Sequence, residues 1–422
     1  MAYRLIQKVR KAFPGRVIVV GGEHITSVPE FIIETCPEVD VCVLGEGEET
    51  MTELMDKLSK GQPLSSVAGI VYREGGLAKR NAERKRIIDV DKITLPAWDL
   101  VPLHNYLDNG LGYGVNRGRS MPLLATRGCP YQCTFCSNPG MWTTRWVARD
   151  THEVLREIQL YLDKYKATNI DFYDLTAVVK KDWIVEFCKL ILEKKMDFSW
   201  QLPSGTRSEA LDSEVTDLMF RSGCRNITYA PESGSERILN KIKKRVNLGR
   251  MKDSMRQALK NGMHVKINII MGLPDETHWD IWQSLLFMAH CAIMGVQDCE
   301  AANFSPYPGS ELFKRLKTEG KIPAQIDDDY FWNLSTITSV FKTTSFSDHV
   351  GAGALRFYLL FGLFMFYGLG FLFHPIRLFR AFVLNPLRSR QETRFEKGYQ
   401  GVVRRIFLKK GQPKPPQSIL TH

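Results

Sequence analysis

Hydrophobic and polar positions alternate in two different rhythms along the chain. From residue 1 to about 75, short β-branched runs interchange with stretches of helical period. The pattern predicts helices over Ala2–Phe13, Val28–Thr35 and Thr50–Ser59, and strands over Arg16–Val20 and Val39–Leu44. Gly21-Gly22 follows the first strand, and Gly45-Glu46-Gly47-Glu48 follows the second. Alternating βα units imply a parallel sheet. These units make about half of a doubly wound domain, and the chain opens inside a helix. The expectation is an N-terminally truncated chain whose remaining strands lie upstream.

Residues 76–120 are polar, broken by Pro96, Pro102 and several glycines, and read as a linker that packs over the next domain. From residue 121 to 320 the βα rhythm resumes six times. The strands expected are Leu123–Ala125, Ile170–Tyr173, Phe198–Leu202, Asn226–Ala230, His264–Ile270 and Cys299–Phe304, with helices such as Thr151–Tyr165, Lys181–Lys194 and Thr277–Met294 between them. Six units suggest a partial, open (β/α)6 barrel of the TIM type, with its chemistry at the carboxyl ends of the strands.

The final stretch, 321–422, reads as a helical extension. Phe357–Phe373 holds seventeen residues without a charge, at the short edge for a bilayer span. A second apolar patch follows at Ala381–Leu384. The segment fits a helix buried on the barrel, a monotopic helix or hairpin held by apolar burial and anionic lipid, or a span. The terminal Pro413-Lys-Pro-Pro416 stretch reads as disordered.

Charge sharpens this picture. The net charge is +11, but the residues from Ile376 onward carry +9 of it. The basicity therefore belongs to the tail, and no nucleic-acid partner is expected of the core. Apolar residues at 44% and charged residues at 24% are ordinary for a globular chain. The nine cysteines show no disulfide spacing, and the N-terminus has no secretory pattern. A reducing cytoplasm, with contact to the inner face of the membrane through the tail, is the expected location.

The candidate chemistry lies just after the first barrel strand, in Thr126-Arg-Gly-Cys129-Pro-Tyr-Gln-Cys133-Thr-Phe135-Cys136. Three thiolates at Cys-x3-Cys-x2-Cys spacing can bind three irons of a [4Fe–4S] cluster and leave the fourth open to a small molecule. A zinc knuckle would want a fourth ligand nearby, and the nearest candidate, His152, is sixteen residues on.

Each later strand also ends in a polar or glycine-bearing segment. These are Asp171-Phe-Tyr-Asp174, Ser204-Gly-Thr-Arg207, Pro231-Glu232-Ser-Gly234, Met271-Gly272-Leu-Pro274 and Ser305-Pro-Tyr-Pro308-Gly309. With the cysteine triplet they resemble the radical S-adenosylmethionine (SAM) superfamily over residues 120–316. The resemblance is closer to the branch whose barrel follows a cobalamin-binding domain. That branch includes methyltransferases of unactivated carbons and the anaerobic cyclase of chlorophyll synthesis. The fold implied is α/β: a partial (β/α)6 radical SAM barrel, preceded by part of a Rossmann-like cobalamin-type domain and followed by a helical, membrane-associated tail.

The resemblance also implies roles. Cys129, Cys133 and Cys136 would hold the cluster, and Phe135 would lie against the SAM adenine. Asp174 would meet the SAM amino group, and Glu232 the ribose hydroxyls. Ser204 and Arg207 are candidates for the ribose or carboxylate, with Arg245 an alternative for the latter. Asn268 and Gly272 would line the adenine side. Asp174 and Glu232 each have a plainer reading at the start of the helix that comes after them. The Val19-Val20-Gly21-Gly22 and Leu44–Glu48 segments resemble the second half of the cobalamin domain, which makes cobalamin a further candidate cofactor. His24 stands outside the element that supplies that family's axial histidine. The activity implied is reductive cleavage of SAM to modify a C–H position, above all by methyl transfer. The apolar tail suggests a small hydrophobic substrate of lipid, hopanoid or tetrapyrrole type, and an electron donor such as ferredoxin or flavodoxin is expected. An oxidative cyclase, a methylthiotransferase and a non-catalytic membrane scaffold are the alternatives.

Overall fold

A computed structural model describes residues 2–207, 210–334, 343–385 and 391–407. The first unit is a small mixed sheet. β1 (Val19–Val20) and β2 (Val41–Val43) run parallel; β3 (Ile70–Glu74) and β4 (Leu77–Arg80) add an antiparallel hairpin in the order β1-β2-β3-β4. The parallel pairing agrees with the βα alternation. The hairpin straddles residue 75, where the sequence pattern suggested that the unit ends. Its turn is Gly75-Gly76, both with positive φ, the conformation a tight hairpin requires.

The large sheet has six parallel strands. β5 (Ser120–Leu123) is followed by a two-residue ladder of β6 (Thr126–Arg127) with β7 (Val147–Ala148). Then come β8 (Asn169–Phe172), β9 (Ser199–Thr206), β10 (Cys224–Glu232), β11 (His264–Met271) and β12 (Asp298–Asn303). The order β12-β11-β10-β9-β8-β5 leaves β5 and β12 unpaired with each other, so the barrel is open. Strand residues alternate as a pleat demands. In β11, Val265, Ile267, Ile269 and Met271 are buried in the main core under the helices, while Lys266 and Asn268 face the other side. The helix His278–Met294 starts at a capping box of Thr277 and Asp280 and stops at Gly295, with φ +112°.

Residues 81–119 wrap the barrel. Trp98 donates through Nε1 to the Tyr161 hydroxyl at 2.9 Å, and Leu103 and Leu107 enter the main core.

The apolar segment expected over Phe357–Phe373 belongs to a longer helix, Ala352–Phe373. One stripe of it (Leu355, Tyr358, Leu359, Gly362, Phe366, Gly370) is buried against the helix His278–Met294 and β12. A side chain at Gly362 would meet Leu285 and Met288. A helix docked along its length on the barrel does not cross a bilayer, so the spanning alternative falls. The opposite stripe stays open. The chain then turns through Pro375–Phe379 and a π-helical turn at Arg380–Leu384, where the second apolar patch was expected. The helix Arg394–Phe407 lies at the amino ends of the strands, and Lys397 donates to the carbonyls of Gly112 and Gly114 at 2.9 and 3.0 Å. The Pro413–Pro416 stretch lies outside the described residues.

Candidate functional site

The cysteine loop occupies residues 128–146, closed at its base by the β6–β7 ladder. Gly128 opens it with φ +82°; a side chain there would overlap the Arg145 carbonyl, so only glycine fits. The Cys136 amide donates to the Cys133 carbonyl at 3.0 Å, forming the turn that carries both thiols. Thr134 pins the turn to the barrel: its amide donates to Ile242 O at 3.0 Å, and its carbonyl accepts from Leu312 N at 2.9 Å. Ser137 reaches the N-terminal unit through a 2.6 Å bond to Glu23.

Cys129, Cys133 and Cys136 are free and half-buried. Burial pushes the Cys136 thiol up to about 12. Burial also raises Cys129 and Cys133, and the cationic Lys244 and Arg207 oppose that rise. The two cations favour the thiolates that iron ligation needs. Three cysteines from one short loop supply the soft thiolate donors that the irons of a cluster take.

Glu232 ends β10 just after a register shift, with φ +67°. Such a backbone is costly for a non-glycine residue and persists only where surroundings hold it. The holder is Lys244, whose ammonium bonds Glu232 Oε1 at 2.9 Å with both side chains nearly buried. Burial lowers the Lys244 pKa, but Glu232 and the Cys133 thiol outweigh it, so the net shift is upward and the ammonium stays charged. Ser235, three residues on, is the cap of the helix Glu236–Lys241, so Glu232 is not part of that helix start.

Asp174 is fully buried. It accepts from the Thr126 hydroxyl at 2.6 Å and from the amides of Thr126 and Ala125. Burial pushes it up to about 6. It therefore fixes the strand end that leads into the cysteine loop. The helix at Lys181–Glu193 begins at Lys180 instead, so Asp174 does not cap it.

Arg207 is buried after β9, its guanidinium 3.5 Å from the centre of the Tyr131 ring inside the cysteine loop, and it donates to the Arg245 carbonyl. Arg245 itself is exposed. Ser204 is half-buried on β9. Asn268, on β11, has a buried Oδ1 with no partner among the described residues, an acceptor left for a ligand. Gly272 has φ +86°, and its amide donates to Glu276 Oε2 at 2.5 Å. A Cβ there would lie 2.5 Å from Leu355 of the C-terminal helix, so that side of Gly272 is filled by Leu355, and the glycine serves helix docking and not the adenine side expected of it.

A cavity of ≈ 710 Å³ joins the two units at this loop. Phe135, Cys136, Ile270, Tyr307 and Pro308 line it from the barrel side. Glu23, His24 and Ser27 line it from the N-terminal unit. The size suits a cofactor or a drug-sized ligand. His24, which the sequence pattern set aside, faces this cavity with its ring edge against Phe331 at 4.7 Å; burial lowers its pKa and keeps the imidazole neutral. A second crevice of ≈ 430 Å³ lies at the carboxyl ends of β1 and β2, walled by Gly21, Gly22, Gly45 and Gly47 and faced by Met141 and Trp142. Four glycines leave there a cradle that side chains would fill, which fits an extended cofactor tail.

A buried ionic clamp that no sequence pattern announces sets the joint. Glu46 accepts from Arg86 at 3.1 Å, from Arg127 at 3.0 Å and from the Ile87 amide at 2.9 Å. Arg127 also bonds Glu48, and both arginines lie over the Trp142 ring. Arg127 immediately precedes Gly128-Cys129, so the clamp ties the glycine cradle to the cysteine loop. Its one trace in the sequence is the arginine inside the cysteine motif.

An α/β chain with a thiol loop at the mouth of an open six-strand barrel, and a glycine-walled unit beside it, has the architecture that the resemblance implies for a cluster-bearing enzyme with an accessory cofactor unit. The radical SAM superfamily profile matches residues 123–288, and the B12 binding domain profile matches residues 1–55. The chain belongs to the radical SAM superfamily, in the branch that carries a B12-binding domain. It is 31% identical over 316 residues to an uncharacterized methyltransferase of Pyrococcus horikoshii, covering 74% of this chain and 66% of that one. It is 24% identical to the anaerobic magnesium-protoporphyrin IX monomethyl ester cyclase of Rubrivivax gelatinosus, over 75% of this chain and 56% of the other. It is 28% identical to the cytidylyl-2-hydroxyethylphosphonate methyltransferase of Streptomyces wedmorensis, over 75% and 64%. The chain thus spans roughly half to two thirds of these relatives. Among solved structures, the radical SAM methyltransferase TsrM of Kitasatospora setae, with cobalamin and a [4Fe–4S] cluster bound, superposes with a TM-score of 0.62 at 16% identity, over 75% of this chain and 62% of that one. The cofactors of this family are the [4Fe–4S] cluster and SAM, with cobalamin supported by the B12-binding unit.

Proposed function

We propose that this chain carries out cobalamin-assisted radical SAM methyl transfer to a C–H position of an apolar substrate. The observation that carries the reading is the shared cavity: the Cys136 thiol and Phe135 face the same space as His24 and Glu23 of the B12-type unit. When bound, these groups would supply reductive cleavage of one SAM to methionine and, from a second SAM, a methyl group whose leaving group is S-adenosylhomocysteine.

The chain's own residues bind and orient. Cys129, Cys133 and Cys136 would hold three irons of the cluster. Arg207 is the buried cation for the methionine carboxylate, a role in which its planar fork suits two oxygens. Glu232 keeps one carboxylate oxygen for the ribose hydroxyls while Lys244 holds the other. Asn268 offers its unpartnered oxygen to the adenine side. Asp174 acts through Thr126 as a positioning residue for the loop. Ser204, half-buried on β9, is the outer member of the set. Phe135, Ile270, Tyr307, Phe331 and Leu334 give the cavity an apolar wall that excludes water and suits a hydrophobic substrate. A low-potential donor of the ferredoxin or flavodoxin kind supplies the electron. A reducing cytoplasm agrees with nine free cysteines.

The test uses reconstituted protein, SAM with a deuterated methyl group, a chemical reductant and hydroxocobalamin. Release of S-adenosylhomocysteine that depends on added cobalamin supports methyl transfer. Formation of 5′-deoxyadenosine alone, unchanged by cobalamin, refutes it and favours the second reading, an oxidative cyclase like the Rubrivivax relative.

A further inference from the structure

The helices His278–Met294 and Ala352–Phe373 pack side by side, with Trp282 edge-on to Tyr358 and Phe361 at 6.0 and 6.1 Å. Their inner stripes belong to the barrel core. A surface helix with one stripe buried is ordinarily polar on the other. These two are not. The outward positions of the first hold Trp279, Trp282, Leu286 and Ile293; those of the second hold Phe357, Leu360, Phe364 and Leu372. Phe364 is 79% exposed, Leu372 72% and Trp279 65%. The apolar face continues through Ile376, Phe379 and Val383. No acidic side chain occupies an outward position of either helix; the single acid, Asp280, is buried.

Two features choose the occupant. The first is charge: the sequence that follows the second helix, from Ile376 onward, carries +9, and Arg380 is exposed among its described residues. A second copy would bring two such tails together and repel, whereas an anionic lipid surface attracts both the tail and the face beside it. The second is the kind of polar group present. Besides the indole N–H groups, the exposed polar residues of the two helices are His278, His290 and Arg356, none of them acidic, a set that suits the anionic headgroup level of a bilayer.

The helix Ala352–Phe373 starts at the barrel mouth, where Leu355 meets Gly272 at the end of β11. It ends at the barrel floor, where His374 and Arg377 bond the carbonyls of Ile293 and Val296 just before β12. Trp279, Trp282 and Phe357 therefore stand at the end of the barrel that holds the cysteine loop. We propose that this two-helix face seats the protein monotopically on an anionic bilayer, with its aromatic end beside the barrel mouth. The inference rests on the fold and not on the reaction proposed above.

The test is flotation of the full-length, cluster-loaded protein with vesicles of phosphatidylcholine alone or mixed with phosphatidylglycerol, alongside light scattering without lipid. Deleting the apolar segment is unsuitable, because its inner stripe is core. The variant is instead Leu360→Ser/Phe364→Ser/Leu372→Ser, with Phe364→Glu alone as the milder change, both checked for retained iron content and helicity. The expected result is binding to phosphatidylglycerol vesicles that weakens about tenfold in the triple variant and measurably in Phe364→Glu. Three outcomes would overturn the proposal: no binding to anionic vesicles, binding that neither variant changes, or a lipid-free dimer that the variants dissolve.

Discussion

Replacing Glu46 by alanine should loosen the joint between the B12-type unit and the cysteine loop. The carboxylate serves two guanidinium groups and one amide, and the side chains of Glu46, Arg86 and Arg127 are only 4%, 11% and 14% exposed. Removing one partner of a buried pair leaves uncompensated charge and costs about 3–5 kcal/mol. Here the cost falls near the lower end. Arg127 retains Glu48 at 2.5 Å, and Arg86 retains the carbonyls of Trp142 and Arg145. About 3 kcal/mol is roughly two decades in the folded-to-unfolded ratio. Glu46→Gln keeps an acceptor for the Ile87 amide and should lose less. Anaerobic urea unfolding followed by the fluorescence of the eight tryptophans reads the change in global stability; Trp142, 5.5 and 5.7 Å from the two guanidinium groups, is the one beside the clamp. A midpoint shift worth less than about 0.5 kcal/mol, the range of an ordinary surface substitution, would refute the clamp.

Phe366→Ala empties a fully buried position on the inner stripe of the C-terminal helix and should cost about 3–5 kcal/mol in urea unfolding; wild-type stability would mean that the helix is not docked. Lys244→Met should destabilise by about 3 kcal/mol, and adding Glu232→Gln should recover most of it, a coupling that a double-mutant cycle reads directly. Glu276 is held up to about 8 by burial, so the folded protein keeps a proton that the unfolded chain releases. Stability should therefore fall as pH rises from about 4.5 to 8, and Glu276→Gln, which mimics the protonated form, should flatten that slope; parallel pH profiles would contradict the assignment.

Much of the barrel was legible because its signals are local. Five of the six strands fall close to their expected ranges, while the first, β5 (Ser120–Leu123), shares only Leu123 with the expected Leu123–Ala125; the helix expected over Thr277–Met294 is found at His278–Met294, capped by Thr277. The cysteine motif is legible because its spacing is its chemistry. Less visible was what partners each polar residue. Glu46 sits in a Gly-Glu-Gly-Glu segment that looks like a solvated loop, and only the fold brings Arg86 and Arg127 to it. Lys244 lies in a basic run in which nothing local marks which lysine turns inward. Asp174 is absorbed by Thr126, forty-eight residues earlier. The helix Ala352–Phe373 is apolar on both faces, so it lacks the periodicity that would have separated its docked stripe from its open one.

The measurement closest to the central claim is anaerobic reconstitution followed by iron analysis and SAM turnover, in wild type and in Cys133→Ala. The account predicts about four irons per chain and reductive SAM cleavage in the wild type, with both lost in the variant. Wild-type cleavage by Cys133→Ala, or no cleavage by a fully loaded wild type, would contradict it.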